Sequence, residues 1–83
     1  MKLKIKVTQE DINNGEPCET MSCPVALALS RQLNLFNPVY VSYSYFSTDN
    51  KYVYLPRSVK RFIHRFDSGE EVKPFNFIIN YEN

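Results

Sequence analysis

The sequence of 83 residues contains no tryptophan, one histidine, two cysteines and only two glycines. Gly15 and Gly69 lie far apart, which excludes a glycine-rich phosphate-binding loop. The single histidine, His64, excludes the paired histidines of a zinc-protease motif, and no glycine-flanked serine elbow is present. We therefore expect a protein that is not an enzyme.

Long apolar runs and an excess of charge are also missing. No stretch approaches the ~20 apolar residues of a membrane-spanning helix, and the segment Met1–Lys4 lacks the apolar run of a secretion signal. Ten Lys and Arg against nine Asp and Glu give a net charge of +1, which argues against binding to nucleic acid by bulk charge. The 43% of hydrophobic residues is enough for a core, so the sequence predicts one folded domain over residues 1–83. Because the sequence shows neither a membrane span nor a secretion signal, we expect the protein to be soluble and cytosolic.

The two cysteines, Cys18 and Cys23, have a C-x4-C spacing that is a weak zinc signal, because no second pair of ligands accompanies it. Nothing in the sequence indicates export, so reduced thiols are the default. We expect neither a metal nor another cofactor. Cys23 precedes Pro24 at the start of an apolar helix, where a small buried side chain and a proline are both favourable.

Hydrophobic periodicity divides the chain into strands, with a period of two residues, and helices, with a period of about 3.6. The expected elements are a strand at Lys2–Val7, a short helical turn at Thr8–Asn14, a helix at Pro24–Leu33, strands at Val39–Phe46 and Lys51–Leu55, a helix from Pro56 to Gly69 and a strand at Pro74–Tyr81. The expected connections are a loop at Glu16–Met21, a breaker-rich segment at Asn34–Pro38 and a hairpin turn at Ser47–Asn50. Thr8 and Asp11 have the spacing of a helix-capping pair, and Gly15 is expected to end that turn.

This order of strands and helices is typical of the α+β class and of the ferredoxin-like split βαβ arrangement. In that arrangement two helices cover one face of a four-stranded antiparallel sheet, and the other face is open. The apolar rows assigned to the covered face contain Leu3, Ile5, Val7, Val39, Val41, Val53, Leu55, Phe77 and Ile79. The open face is expected to carry Lys2, Lys4, Lys6, Tyr40, Ser42, Ser44, Tyr52, Tyr54, Asn76, Ile78 and Asn80.

Two segments carry a resemblance to a known family. They are Val7-Thr-Gln-Glu-Asp-Ile-Asn-Asn-Gly15 and Cys23-Pro-Val-Ala-Leu-Ala-Leu29, in the pattern V-T-x-x-D-I-x-x-G followed by C-P-[IV]-A-L-A-L. The pair resembles a family of short proteins encoded by bacteriophages and prophages, over the first third of the chain. The resemblance implies a phage accessory protein in the cytosol of a bacterial host, and it assigns no catalytic or binding residue.

The open face combines positive charge with aromatic rings. Its strand lysines suit phosphates and its tyrosines offer flat rings for base stacking, a combination that favours single-stranded nucleic acid or a nucleotide. Alternating lysines also keep a sheet face soluble, and tyrosine pairs stabilise antiparallel strands without any ligand. The candidate binding residues on this face are Lys2, Lys4, Lys6, Tyr40, Tyr52 and Tyr54.

The helix after Pro56 carries a second candidate surface on the side away from its apolar stripe. Its basic residues are Arg57, Lys60, Arg61 and Arg65, with His64 among them. Such a patch suits phosphates or an acidic protein surface, and a solvated helix face is the ordinary alternative.

Two functions from different classes follow. The first is a small, non-catalytic phage-type accessory protein that binds and blocks a host protein or ribonucleoprotein complex, as anti-CRISPR-like inhibitors of bacterial defence systems do. The second is a module that binds single-stranded nucleic acid or a nucleotide through the open face. Either is expected to act as a monomer or as a homodimer paired through a sheet edge, away from any membrane.

Overall fold

The computed structural model describes residues 2–33, 38–48 and 51–81. Its elements are β1 (Lys2–Val7), α1 (Gln9–Asn14), α2 (Pro24–Leu33), β2 (Tyr40–Val41), β3 (Tyr45–Thr48), β4 (Lys51–Tyr54), α3 (Arg57–Asp67) and β5 (Phe75–Asn80). The α+β class is confirmed. The described strands form two antiparallel sheets, with the orders β1-β5 and β2-β3-β4. The single four-stranded sheet is therefore wrong, and the ferredoxin-like arrangement is not confirmed.

The strand expected at Val39–Phe46 is interrupted by a tight chain reversal. The Ser42 amide donates to the Tyr45 carbonyl oxygen at 2.8 Å, and the Ser42 hydroxyl donates to the same oxygen at 3.0 Å. Val41 consequently lies directly opposite Phe46, and both side chains point into the core. A continuous strand would place them on opposite faces, since their separation in sequence is odd.

The turn expected at Ser47–Asn50 is wrong for its first two residues. Ser47 and Thr48 belong to β3. The other two residues of that turn lie outside the described residues, as does most of the connection expected at Asn34–Pro38.

The outer edges of β1 and β2 are both covered by other parts of the chain. At β1, this covering helps to explain why the strand does not join a larger sheet. The Gln32 side chain, at the end of α2, accepts the Lys6 amide at 2.9 Å and donates to the Lys6 carbonyl at 2.6 Å. It therefore occupies backbone groups that a second strand beside β1 would need. At the edge of β2, the Val41 amide donates to the Thr20 carbonyl at 2.9 Å.

One hydrophobic cluster unites both sheets and the longer helices. Phe46 of the three-stranded sheet is fully buried and stacks on Tyr81, just after β5, with ring centroids 6.4 Å apart. The predicted core is confirmed as buried for Ile5, Val7, Val39, Val41, Leu55, Phe77 and Ile79. Leu3 and Val53 are partly buried and pack against this cluster.

The first two helices begin as the sequence predicts. Thr8 and Asp11 form a reciprocal capping box, with the Thr8 amide 2.9 Å from an Asp11 carboxylate oxygen and the Asp11 amide 3.2 Å from the Thr8 hydroxyl. Gly15 ends α1, and a Cβ there would lie 2.6 Å from the Pro24 ring. Cys23 caps α2, because its buried thiol accepts the Ala26 amide at 3.4 Å.

α3 is strongly amphipathic. Val59, Phe62 and Ile63 are buried at the expected helical spacing, while the basic residues between them face outward. Gly69 follows the helix with a φ of +83°, a left-handed conformation that favours glycine. No helix in the described part of the chain is long and apolar enough to cross a membrane.

Candidate functional site

Four tyrosines lie together on the outer face of the β2-β3-β4 sheet, and we call this surface the tyrosine face: Tyr40, Tyr45, Tyr52 and Tyr54. Ser47 of β3 lies opposite Tyr40 of β2 on one side and opposite Tyr52 of β4 on the other. Tyr45 of β3 lies opposite Tyr54 of β4. Residues opposite each other in antiparallel strands point to the same side, so all four side chains share the face turned away from Phe46.

The rings of the tyrosine face are accessible and partly braced by each other. Tyr40 is 47% exposed, Tyr52 70% and Tyr54 80%. Tyr45 is half-buried, and its ring packs against that of Tyr52 in a T-shaped arrangement with ring centroids 5.4 Å apart. Tyrosine presents a large rigid area and a hydroxyl while losing little side-chain entropy, so this surface suits macromolecular contacts.

Three lysines on β1 form a second surface, the lysine row: Lys2, Lys4 and Lys6. All three are exposed, and the register places Lys4 opposite Ile78 and the outer two opposite asparagines of β5. None of the three forms an ion pair with a described residue. Their charge is therefore available to an anionic ligand.

The structure does not interleave the lysine row with the tyrosine face as one open sheet would. The lysine row belongs to the β1-β5 sheet, and the tyrosine face belongs to the β2-β3-β4 sheet. The two sheets adjoin where β4 contacts β5, and the Lys51 ammonium lies 5.4 Å from the centre of the Tyr81 ring beside this junction. The expected mixture of charges and rings on one sheet is therefore wrong.

The basic residues of α3 form a third surface, and all of them are exposed: Arg57, Lys60, Arg61, His64 and Arg65. None pairs with an acid among the described residues. Arg61 and Arg65 line a groove beside the segment before β5, whereas Arg57 and Lys60 do not. The arginines and the lysine of this surface thus divide into two pairs, one lining the groove and one outside it.

A pocket of about 260 Å³ lies between α3, the loop after α1 and the reversal after β2. Asp67 anchors its rim, because one carboxylate oxygen accepts the Cys18 amide at 2.8 Å and the other accepts the Tyr43 hydroxyl at 3.4 Å. The negative charge of Asp67 raises the pKa of Tyr43. These bonds hold two loops against the end of α3, which gives Asp67 a structural role.

The cysteines lack the surroundings of a nucleophile or a metal site. Burial raises the pKa of the Cys23 thiol, which keeps it protonated as a helix cap. Cys18 is exposed, and its thiol lies 4.0 Å from the Asp67 carbonyl oxygen. Within residues 2–33, 38–48 and 51–81, no group of three or more His, Cys, Asp or Glu side chains is placed to hold a metal ion.

Sequence reasoning missed two members of these surfaces. Tyr45 joins the tyrosine face only because the chain reverses at Tyr43 and Ser44, a turn without the Asn-Gly or Asp-Gly signal of a two-residue hairpin. Lys73 joins Arg61 and Arg65 at the groove through tertiary packing, for which the sequence holds no local signal.

No protein-family model, no curated protein and no solved structure matches this chain.

Proposed function

We propose that the protein is a non-catalytic, phage-type accessory protein that binds a host protein or ribonucleoprotein complex and blocks it. Its target is a bacterial defence system, in the manner of anti-CRISPR-like inhibitors, and its place of action is the host cytosol. The tyrosine face is the contact surface. The observation that carries this proposal is the exposure of Tyr52 and Tyr54, at 70% and 80%.

The chemistry of the tyrosine face favours a protein surface as its partner. Tyrosine is enriched among the residues that dominate the binding energy of protein interfaces, because it buries apolar area and keeps one hydroxyl for a hydrogen bond. The rings project from hydrogen-bonded strands whose inner face is packed around Phe46. Little ordering is needed on binding, and this preorganisation favours affinity.

A plating assay tests the proposed function. The chain is expressed in bacterial strains that each carry one defence system, and the plating efficiency of a sensitive phage is measured. We expect a rise of at least about tenfold on one strain, and loss of that rise in the variant that combines Tyr52→Ala with Tyr54→Ala. Tyr43→Ala is the control for loss of an exposed ring, since Tyr43 is 55% exposed but lies outside the tyrosine face. Its melting temperature is measured as well, because the Tyr43 hydroxyl bonds to Asp67.

If the plating efficiency does not rise on any strain, the proposed role as a defence inhibitor is wrong. A rise that the Tyr52→Ala, Tyr54→Ala variant retains would remove the tyrosine face from it. Equal loss in Tyr43→Ala would indicate a general effect of lost tyrosines.

The lysine row favours a second candidate function, the binding of single-stranded nucleic acid. Three lysines that form no ion pair with a described residue lie in one row and suit a phosphate backbone. The sheet that carries the tyrosine face contacts β5 through β4. Each phosphate neutralised lowers log K by about 0.7 per tenfold rise in salt, so three contacts give a slope of about −2. Affinity would then fall about 16-fold when salt rises fourfold.

Fluorescence anisotropy with a labelled oligothymidylate measures this slope. If nucleic acid is the ligand, Lys4→Glu combined with Lys6→Glu abolishes binding, because two of the three contacts become repulsive. Arg57→Glu combined with Lys60→Glu changes the net charge equally and leaves binding intact. Binding that is absent, or lost equally in both variants, excludes recognition by the lysine row.

A further inference from the structure

A groove of about 440 Å³ runs between α3 and the segment that leads into β5. Its basic rim consists of Arg61, Arg65 and Lys73, and its apolar floor of Phe62, Val72 and Phe75. The volume falls within the ~300–1,000 Å³ of ordinary ligand pockets. The groove is separate from the tyrosine face and plays no part in the function proposed above.

The charges around the groove are unbalanced. Three cations line it against one acid, Glu71, and none of the three cations forms an ion pair with a described residue. Arg61 and Arg65 are one helical turn apart, so their side chains are neighbours on the surface of α3. Two adjacent guanidinium groups are suited to bidentate bonds with carboxylates.

The floor distinguishes an acidic peptide from a nucleic acid. Phe62 is only 7% exposed and is enclosed by Phe75 at 4.6 Å and Phe66 at 6.2 Å between ring centroids, so its faces are closed to a stacking base. Val72 and Phe75 remain partly accessible and offer contact to an aliphatic side chain.

We infer that this groove binds an acidic peptide segment of a partner protein. Arg61 and Arg65 hold carboxylates of the segment, and Lys73 adds a point charge on the opposite rim. An aliphatic side chain next to those carboxylates rests on Val72 and Phe75. The groove thereby selects short segments in which acidic and apolar residues alternate.

Fluorescence anisotropy with a labelled peptide of four Glu-Leu repeats tests this inference, with a peptide of four Gln-Leu repeats as the uncharged probe. We expect half-saturation below about 1 mM at low salt for the Glu-Leu peptide only. Arg61→Gln combined with Arg65→Gln should weaken binding at least about tenfold, because both charge-assisted contacts are lost. Val72→Ser should weaken it about threefold without changing the charge.

The matched control combines Arg57→Gln with Lys60→Gln, which removes the same charge from the same helix outside the groove. It should leave the affinity within about twofold of the parent. Equal weakening by both double variants would overturn the inference in favour of diffuse charge attraction. Equal binding of the Gln-Leu peptide, or absence of binding by the Glu-Leu peptide, would overturn it as well. So would tighter binding of an oligothymidylate that depends on Arg61 and Arg65, since the groove would then be a nucleic-acid site.

Discussion

Replacement of Ile5 by aspartate is expected to unfold the protein. Ile5 is 1% exposed and lies opposite Phe77, at the centre of the row that β1 presents to the hydrophobic cluster. Loss of the buried side chain and burial of an unpaired carboxylate together cost about 5 kcal/mol or more. The whole stability of a domain of this size is about 4 to 12 kcal/mol.

Thermal unfolding followed by circular dichroism measures this effect. Lys4→Asp introduces the same side chain at the neighbouring position of β1, where it points to solvent, and should keep the cooperative transition. An Ile5→Asp variant that melts at the temperature of the parent would show that the apolar row of β1 does not face the core.

A second large loss of stability is expected when Asp11 is replaced, since this residue is only 3% exposed. Its carboxylate accepts the Thr8 amide and both terminal nitrogens of Arg31, one of them at 3.1 Å, so it joins the first turn of α1 to α2. Asp11→Ala removes the capping box and the ion pair together. We expect a loss of about 2 to 3 kcal/mol in the free energy of unfolding, measured by urea denaturation.

The same carboxylate makes stability depend on pH. Burial raises the pKa of Asp11, but the hydrogen bonds from Arg31 and Thr8 outweigh burial, and the pKa lies below its ordinary value. A lowered pKa in the folded state means that ionised Asp11 stabilises the fold above the unfolded pKa of about 3.9. This contribution is lost as the pH falls through the folded pKa.

Comparison of the parent with Asp11→Asn across pH isolates that contribution. The difference in unfolding free energy should be largest above about pH 5 and should shrink at lower pH, where the parent carboxyl becomes neutral. Glu10→Gln removes an exposed acid from the same turn and should give a small difference at every pH. A difference for Asp11→Asn that does not change with pH would contradict the role of the ionised carboxylate.

Local signals predicted most elements of this fold. The alternation in Lys2–Val7, the capping pair at Thr8 and the helical spacing of Val59, Phe62 and Ile63 each depend on neighbours within four residues. Such patterns act through backbone geometry and burial of one face, which the sequence displays directly.

The arrangement of the strands was less accessible, because it depends on residues far apart in the chain. The Gln32 side chain forms hydrogen bonds with the backbone amide and carbonyl of Lys6, which lies 26 positions away in the chain. Hydrophobic periodicity does not predict that a helix side chain covers a strand edge in this way. The reversal at Tyr43 and Ser44 also lacks turn-forming residues, so the alternation around it resembles one strand.

The candidate surfaces show the same division. Alternation correctly predicted that the lysines of β1 and the tyrosines of β4 are exposed, because one face of each strand must be buried. It placed them on one sheet, whereas the structure places them on two. Which exposed residues share a surface is decided by strand pairing and not by exposure.

The dissociation constant for a captured host target measures whether the tyrosine face is the contact surface. The target is recovered from a lysate of the strain on which the chain raises phage plating, purified, and titrated with the parent and with the Tyr52→Ala, Tyr54→Ala variant. Two interface tyrosines that contribute about 1 to 2 kcal/mol each predict a loss of affinity of about 30-fold to 1,000-fold, with an unchanged melting temperature. Tyr43→Ala should bind like the parent. An affinity that survives loss of both rings, or that falls only when Arg61 and Arg65 are replaced, would contradict the tyrosine face as the contact surface.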